Sequence, residues 1–214
     1  MHFEILVEDE SGKIALETLI PKILNSEKHT YRIISYKGIG HLPKDLHGKT
    51  DPQKRVLLDR LPKILSGYGK SLSSNAAVIV VVDLDKRDCK DFKTELLNIL
   101  NNCNPKPQTL FRIAIEEGEA WLLGDQKAIL TAYPKAKKNI LDKYVQDSIC
   151  DTWQKLADAI YPGGAQSLEK LGYPRIGKIK CEWSQKIAPN MDVDINKSKS
   201  FHVFRDALRR LANS

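Results

Sequence analysis

The strongest constraint on the fold is the apolar run AAVIVVV, Ala76–Val82, because it has no polar face. A strand that is apolar on both sides is typical of a central parallel strand covered by helices. The segments Phe3–Val7, Tyr31–Tyr36 and Leu110–Ile115 are also predicted to be strands, and amphipathic helical patterns separate the strands. Ser11 is predicted to cap the first of these helices. The alternation predicts an α/β fold with a mainly parallel four-stranded sheet flanked by helices.

The pattern changes at about residue 126, after which no further strand is predicted. Helical segments follow instead, at Asp142–Ile160, Gln166–Leu171, Lys178–Ile187 and Ser200–Ala212. The formal charge of +7 also lies there, because residues 126–214 carry 16 basic and 9 acidic side chains, whereas residues 1–125 carry 18 of each. We expect an α/β domain over residues 1–125 and a basic, mainly helical C-terminal region over residues 126–214 packed on it. The charge asymmetry suits a polyanionic substrate, although excess lysine also aids solubility.

Composition excludes several other classes of protein. Hydrophobic residues make up 42% of the chain and charged residues 29%, which argues against disorder. No stretch of 18 apolar residues is present, so no membrane association is expected. The N-terminus lacks the pattern of a secretory signal, and the four cysteines form no C-x-x-C pair. We therefore expect reduced thiols and a cytoplasmic protein.

Acidic side chains follow three of the four predicted strands. Glu8 follows the first strand, Asp83 and Asp85 follow the third, and a further acidic group follows the fourth. The carboxyl ends of parallel strands are where open α/β sheets place their sites. Carboxylates that meet there raise one another's pKa, and a divalent cation removes the repulsion. The pattern predicts a Mg²⁺ or Mn²⁺ site at Glu8, Asp83 and Asp85; a solvated strand end is the alternative.

The segments VEDES and VVVDLD, with the order of elements, resemble a TOPRIM domain. This is the catalytic fold of type IA and type II topoisomerases, DnaG-type primases and overcoming-lysogenization-defect (OLD) nucleases. The resemblance covers roughly residues 3–125 and implies that Glu8 is a metal ligand or a general acid/base. It further implies that Asp83 and Asp85 hold magnesium, and that Glu117 and Glu119 add or orient a ligand.

A narrower resemblance covers nearly the whole chain. The segments AIEEGEAWLLGD and KCEWSQKIAPNMDVDINKSKSF resemble a bacterial family of TOPRIM-like proteins, a domain of unknown function whose members are candidate nucleases. Its usual opening resembles V-E-G-x-S-E, whereas this chain has Asp9 at the glycine and Gly12 at the second acid. One metal is implied, and a second would need Glu10 as a substitute ligand. The resemblance also suggests a role in phage defence and an ATPase partner.

Basic side chains are the candidates for contact with nucleic-acid phosphates, with solvation of the surface as the alternative. They are His41, Lys44, Lys137, Lys138, Lys197 and Lys199. Together with the acidic corner they predict a Mg²⁺-dependent nuclease that cleaves phosphodiester bonds while the basic half holds the backbone.

Two other functions remain open. One is a non-catalytic TOPRIM-like binding or regulatory module that partners an ATPase, which Gly12 favours because an acid is usual there. The other is a phosphate-handling enzyme with a small substrate, such as a receiver-like or phosphohydrolase domain. The extra strand-end glutamates and the lack of a fifth predicted strand count against a receiver.

Overall fold

The protein forms an α/β fold around one parallel sheet. The computed structural model describes residues 1–42, 56–115, 117–146, 148 and 151–213. The strands are β1 (His2–Val7), β2 (Thr30–Ser35), β3 (Ala76–Asp83) and β4 (Thr109–Ala114). They lie in the order β2-β1-β3-β4, and all neighbouring pairs are parallel. The predicted four-stranded parallel sheet is confirmed, with each strand end within one residue of its predicted place.

Helices flank this sheet and make up most of the second half of the described chain. They are α1 (Glu10–Ile23), α2 (Leu57–Ser71), α3 (Cys89–Asn101), α4 (Glu119–Leu123), α5 (Gln126–Ala132), α6 (Lys138–Asp142), α7 (Thr152–Ile160), α8 (Gly164–Glu169), α9 (Tyr173–Ile187) and α10 (Lys199–Ala212). None of them, within the described residues, has both the length and the apolar composition to cross a membrane.

The predicted continuous helix from Asp142 to Ile160 is wrong in its first half. Helix α6 ends at Asp142, and α7 begins only at Thr152. Asp151, immediately before α7, has a left-handed φ of 73°. A right-handed helix cannot run through such a residue, so the chain is broken there despite its helical hydrophobic pattern.

Strand β3 is buried on both faces, as its apolar sequence predicts. One face (Val78, Val80, Val82) packs in a core with α2 and α3. The other face (Ala77, Ile79, Val81) packs in a second core that contains residues of α1 and of the C-terminal helices up to α10. The helical region 126–213 therefore shares a hydrophobic core with the sheet.

The start of α1 differs from the sequence prediction in its capping residue. Asp9, not Ser11, is the N-cap, and its Oδ1 accepts a hydrogen bond from the Gly12 amide at 2.7 Å. The Ser11 hydroxyl donates to the same carboxylate at 3.0 Å. An aspartate before the first turn satisfies an amide that has no partner within the helix, and this contact holds Asp9 beside the end of β1.

The far end of α1 is joined to the chain that follows α9. The Lys22 ammonium donates to three backbone carbonyls in and after the 3₁₀ turn Ala188–Asn190. These are the carbonyls of Ala188 (3.1 Å), Pro189 (2.7 Å) and Met191 (2.8 Å). Helices α1 and α9 are thus held against each other beside the sheet.

An aromatic cluster anchors α10 to α4. The Trp121 ring lies 5.0 Å from that of Phe204 and 5.5 Å from that of Phe201, measured between centroids.

We expect Phe204→Ala to lower the free energy of unfolding by about 3–5 kcal/mol, because it empties a fully buried site. Val203→Ala, one residue earlier and 48% exposed, should change it by less than about 0.5 kcal/mol. Urea denaturation measures both, and equal effects would contradict this account of the core.

Candidate functional site

A pocket opens at the carboxyl ends of β1, β3 and β4. The strand register pairs Val7 with Val81 and Asp83 with Ala114, so the residues that follow these strands are neighbours. Its polar lining includes Glu8, Asp9, Asp83, Glu119 and Lys180, and its apolar lining includes Val7, Leu16, Val81, Ala114, Trp121 and Leu122.

The pocket is small. Its cavity volume is about 50 Å³. One water needs roughly 10–15 Å³ by this measure, so the space suits an ion with a few waters or phosphate oxygens. It does not suit a whole nucleoside.

Glu8 and Asp83 are brought together although they are far apart in the sequence. The Asp83 amide lies 3.5 Å from Glu8 Oε2 as a hydrogen-bond donor. Burial, with the nearby charges of Asp85 and Asp9, raises the pKa of Glu8 to about 7. Burial and the charge of Glu8 also raise the pKa of Asp83 well above its usual value. The charge of Glu8 thus makes ionisation of Asp83 more difficult.

Glu119, at the start of α4, is a third carboxyl in the pocket. It is 4% exposed, and its Oε2 atom makes no hydrogen bond. Burial raises the pKa of Glu119 to about 7, against the lowering effect of a nearby ammonium. A buried carboxylate oxygen without a hydrogen bond is a costly feature unless an opposite charge lies beside it.

The nearby ammonium is that of Lys180, in α9. Its Nζ lies 3.2 Å from Glu119 Oε2 and 3.9 Å from Asp9 Oδ2. The contact with Glu119 has ion-pair distance without the alignment of a hydrogen bond. Although burial favours the neutral amine, the charges of Glu119, Asp9 and Asp83 raise the pKa of Lys180, which keeps it charged. Four pocket carboxyls thus face one ammonium.

Lys180 is the site residue that the sequence analysis missed. A signal for it exists in the helical spacing of α9, because Ile176, Ser184 and Ile187 are buried. Lys180 falls on the same face at i+4 from Ile176, where a charged side chain would be costly without a partner. A lysine at a core-facing helical position therefore predicts a buried acid, but not which acid.

Three of the predicted metal ligands lie outside the pocket lining. Strand β3 ends at Asp83, and Asp85 has a left-handed φ of 51°. The extended backbone that would have put both side chains on one face therefore does not continue, and Asp85 is exposed. Glu117 Oε2 accepts from the Thr152 hydroxyl and the Trp153 amide, both at 3.0 Å, so it caps α7. Glu10 is exposed and accepts from the Ser35 hydroxyl at 2.5 Å.

Those predicted phosphate-contact residues that the structure describes do not line this pocket. His41 is exposed on the loop after β2, and Lys44 lies outside the described residues. The other four lysines are also exposed. Lys137 and Lys138 lie just before and at the start of α6, and Lys197 and Lys199 lie just before and at the start of α10. Their contact with nucleic acid stays a prediction.

No group of three or more histidine, cysteine, aspartate or glutamate side chains within the described parts of the chain is arranged to hold a metal ion. A site for Mg²⁺ would therefore use fewer protein ligands. This is compatible with its coordination chemistry, because Mg²⁺ commonly takes one or two carboxylates and completes its shell with water and substrate phosphate.

Comparison with known proteins finds one family. Residues 7–211 match the family described as a domain of unknown function (DUF4276). No curated protein and no solved structure matches the chain. The predicted membership in a family of unknown function is thus confirmed over nearly the whole chain. The match carries no link to TOPRIM domains or OLD nucleases, so that resemblance stays a prediction.

The raised pKa of Glu8 predicts how stability depends on pH in the absence of metal. The folded state holds the proton more tightly than the unfolded state, whose glutamate pKa is 4.5. The associated stability is fully present below pH 4.5 and is lost as pH rises through about 7. As pH rises from 4.5 to about 7, the free energy of unfolding of the wild type should fall by about 1–3 kcal/mol more than that of Glu8→Gln. Urea denaturation with EDTA present measures this difference. Glu169→Gln, at an exposed acid, should follow the wild type, and parallel curves for Glu8→Gln and wild type would contradict the prediction.

Proposed function

The chain belongs to the family described as a domain of unknown function (DUF4276), and we propose from its site that it is a Mg²⁺- or Mn²⁺-dependent nuclease. One observation carries the proposal: Glu8, Asp83 and Glu119 converge in a pocket at the carboxyl ends of three parallel strands. That edge is where open α/β sheets place their sites. The excess of carboxyls over ammonium groups in the pocket supports binding of a cation.

The pocket fits a magnesium ion in donor type and in charge. Carboxylate oxygens are the hard ligands that Mg²⁺ prefers, and Glu8 and Asp83 would hold it. The pocket lining holds four carboxyls against the single ammonium of Lys180, which leaves negative charge to be compensated. When bound, the metal would supply an activated water and stabilise the leaving oxygen of a phosphodiester.

The residues around the metal position have separate tasks in this proposal. Lys180 would oppose negative charge on the phosphate, because its ammonium lies in the same pocket as the proposed ligands. Trp121 and Leu122 form part of the wall and would limit the entry of water. Asp85, exposed beyond the end of β3, would act from the rim through its charge.

A second candidate function is a non-catalytic module that binds nucleic acid or an ATPase partner. The contacts of Lys180 favour it, because an ammonium already compensates Glu119 and Asp9. A Cβ atom on Gly12 would lie 3.2 Å from Asp9 Oδ1, so the capping contact leaves little room for an acid at position 12. Metal binding without turnover is the result that would favour this module.

Cleavage of nucleic acid tests the nuclease directly. Plasmid DNA and RNA should be cleaved with Mg²⁺ or Mn²⁺ and not with EDTA. Asp83→Asn should lower the rate at least about 100-fold and weaken Mn²⁺ binding in calorimetry, because it removes a ligand charge. Glu169→Gln is the matched control at an exposed acid and should keep wild-type values. Cleavage that survives Asp83→Asn would overturn the proposed site.

Lys180→Met tests whether the ammonium and the metal compensate the same charges. Without metal, the variant should lose about 3 kcal/mol of folding free energy, because buried acids lose their partner. Mn²⁺ should then raise its melting temperature by more than it raises that of the wild type, since binding to the native state stabilises it. Lys178→Met, on the exposed face of the same helix, is the control. Equal Mn²⁺ shifts in all three proteins would show that the two cations act independently.

A further inference from the structure

A second depression runs along β4, the edge strand of the sheet. Lys93 of α3, Arg112 and Ile113 of β4, and Lys199 and Val203 of α10 are among its lining residues. Its volume is about 370 Å³, several times that of the carboxylate pocket. The described residues that line this edge groove include three cations and no acid.

Arg112 is the central cation of the edge groove. Its Nη1 donates to the Phe111 carbonyl at 2.7 Å, but its buried Nε has no hydrogen-bond partner. It forms no ion pair with the described carboxylates, and the positive charge of Arg210 lies near enough to act on it. A half-buried guanidinium with a cationic neighbour and no ion pair is suited to an anion that supplies oxygen acceptors.

The position of Arg112 favours nucleic acid over an added peptide strand. The Gln108 carbonyl accepts from the amide of Val78 in β3, and the Ala114 carbonyl accepts from that of Leu84, just after β3. Because carbonyls alternate in direction along a strand, that of Phe111 points to the unpaired edge. Arg112 already donates to it, which blocks part of the edge that an added strand would use. Val203, 48% exposed in the groove, offers an apolar surface to a base or sugar.

The edge groove is adjacent to the carboxylate pocket. Trp121, which lines the pocket, donates from Nε1 to the hydroxyl of Ser200 at 2.9 Å, and Ser200 lines the groove. We propose that this groove binds the phosphate backbone of a nucleic-acid strand and leads it towards the pocket. The inference rests on the proposed nuclease function for the identity of the polyanion.

Binding in EDTA tests the groove apart from cleavage. Fluorescence anisotropy with labelled single-stranded DNA and RNA should show Arg112→Gln weakening the affinity about 5–20-fold. Lys93→Gln, at an exposed side chain that can be replaced without unfolding, should weaken it about 3–10-fold. Each should reduce the slope of log affinity against log salt by about 1, as expected for a lost phosphate contact. Lys170→Gln removes the same charge from an exposed site outside the groove and should change affinity less than about 2-fold.

Two results would overturn the proposal that the edge groove binds nucleic acid. One is a loss of affinity in Lys170→Gln equal to that in Lys93→Gln, which would indicate a diffuse charge effect. The other is competition by polyglutamate at the same charge concentration as effectively as by unlabelled DNA, which would indicate an acidic protein partner. Cleavage by the wild type, measured in parallel, separates this inference from the nuclease proposal. If binding depends on Arg112 and Lys93 but the wild type cleaves neither DNA nor RNA, the groove proposal stands and the nuclease proposal is overturned.

Discussion

The ion pairs of Lys180 are the interaction on which the site depends. A buried ammonium is stable only beside anions, and buried anions need a cation, so α9 and the carboxyl edge of the sheet determine each other's position. The pairs with Glu119 and Asp9 join the helical region to the corner after β1 and to the start of α4. Residues 126–213 are therefore part of the site as well as of the core.

The pocket has more negative than positive groups, and this imbalance is its main chemical property. Burial and neighbouring negative charges raise the pKa values of Glu8, Asp83 and Glu119. Without a bound cation, protons on these groups therefore compensate the excess. The two candidate functions differ in what provides the remaining charge. In the nuclease a metal provides it, whereas in the binding module Lys180 and protons suffice.

Trp121 connects the features that the two halves of the chain contribute. Its ring packs on Phe201 and Phe204, its face contributes to the carboxylate pocket, and its Nε1 donates to Ser200 beside the edge groove. A displacement of α10 would therefore be transmitted to both the pocket and the groove. This arrangement places a basic groove and an acidic pocket side by side.

The sequence by itself determined the strands, their parallel arrangement and the placing of Glu8, Asp83 and Glu119 near strand ends, because hydrophobic periodicity is local and parallel strands end at one edge. Only the tertiary structure decided which acids enter the pocket. Asp85 turns outward at a left-handed residue, and Glu117 is drawn to cap α7. Lys180 is brought in by the packing of α9 on α1. These outcomes depend on contacts between distant segments, which local patterns do not encode.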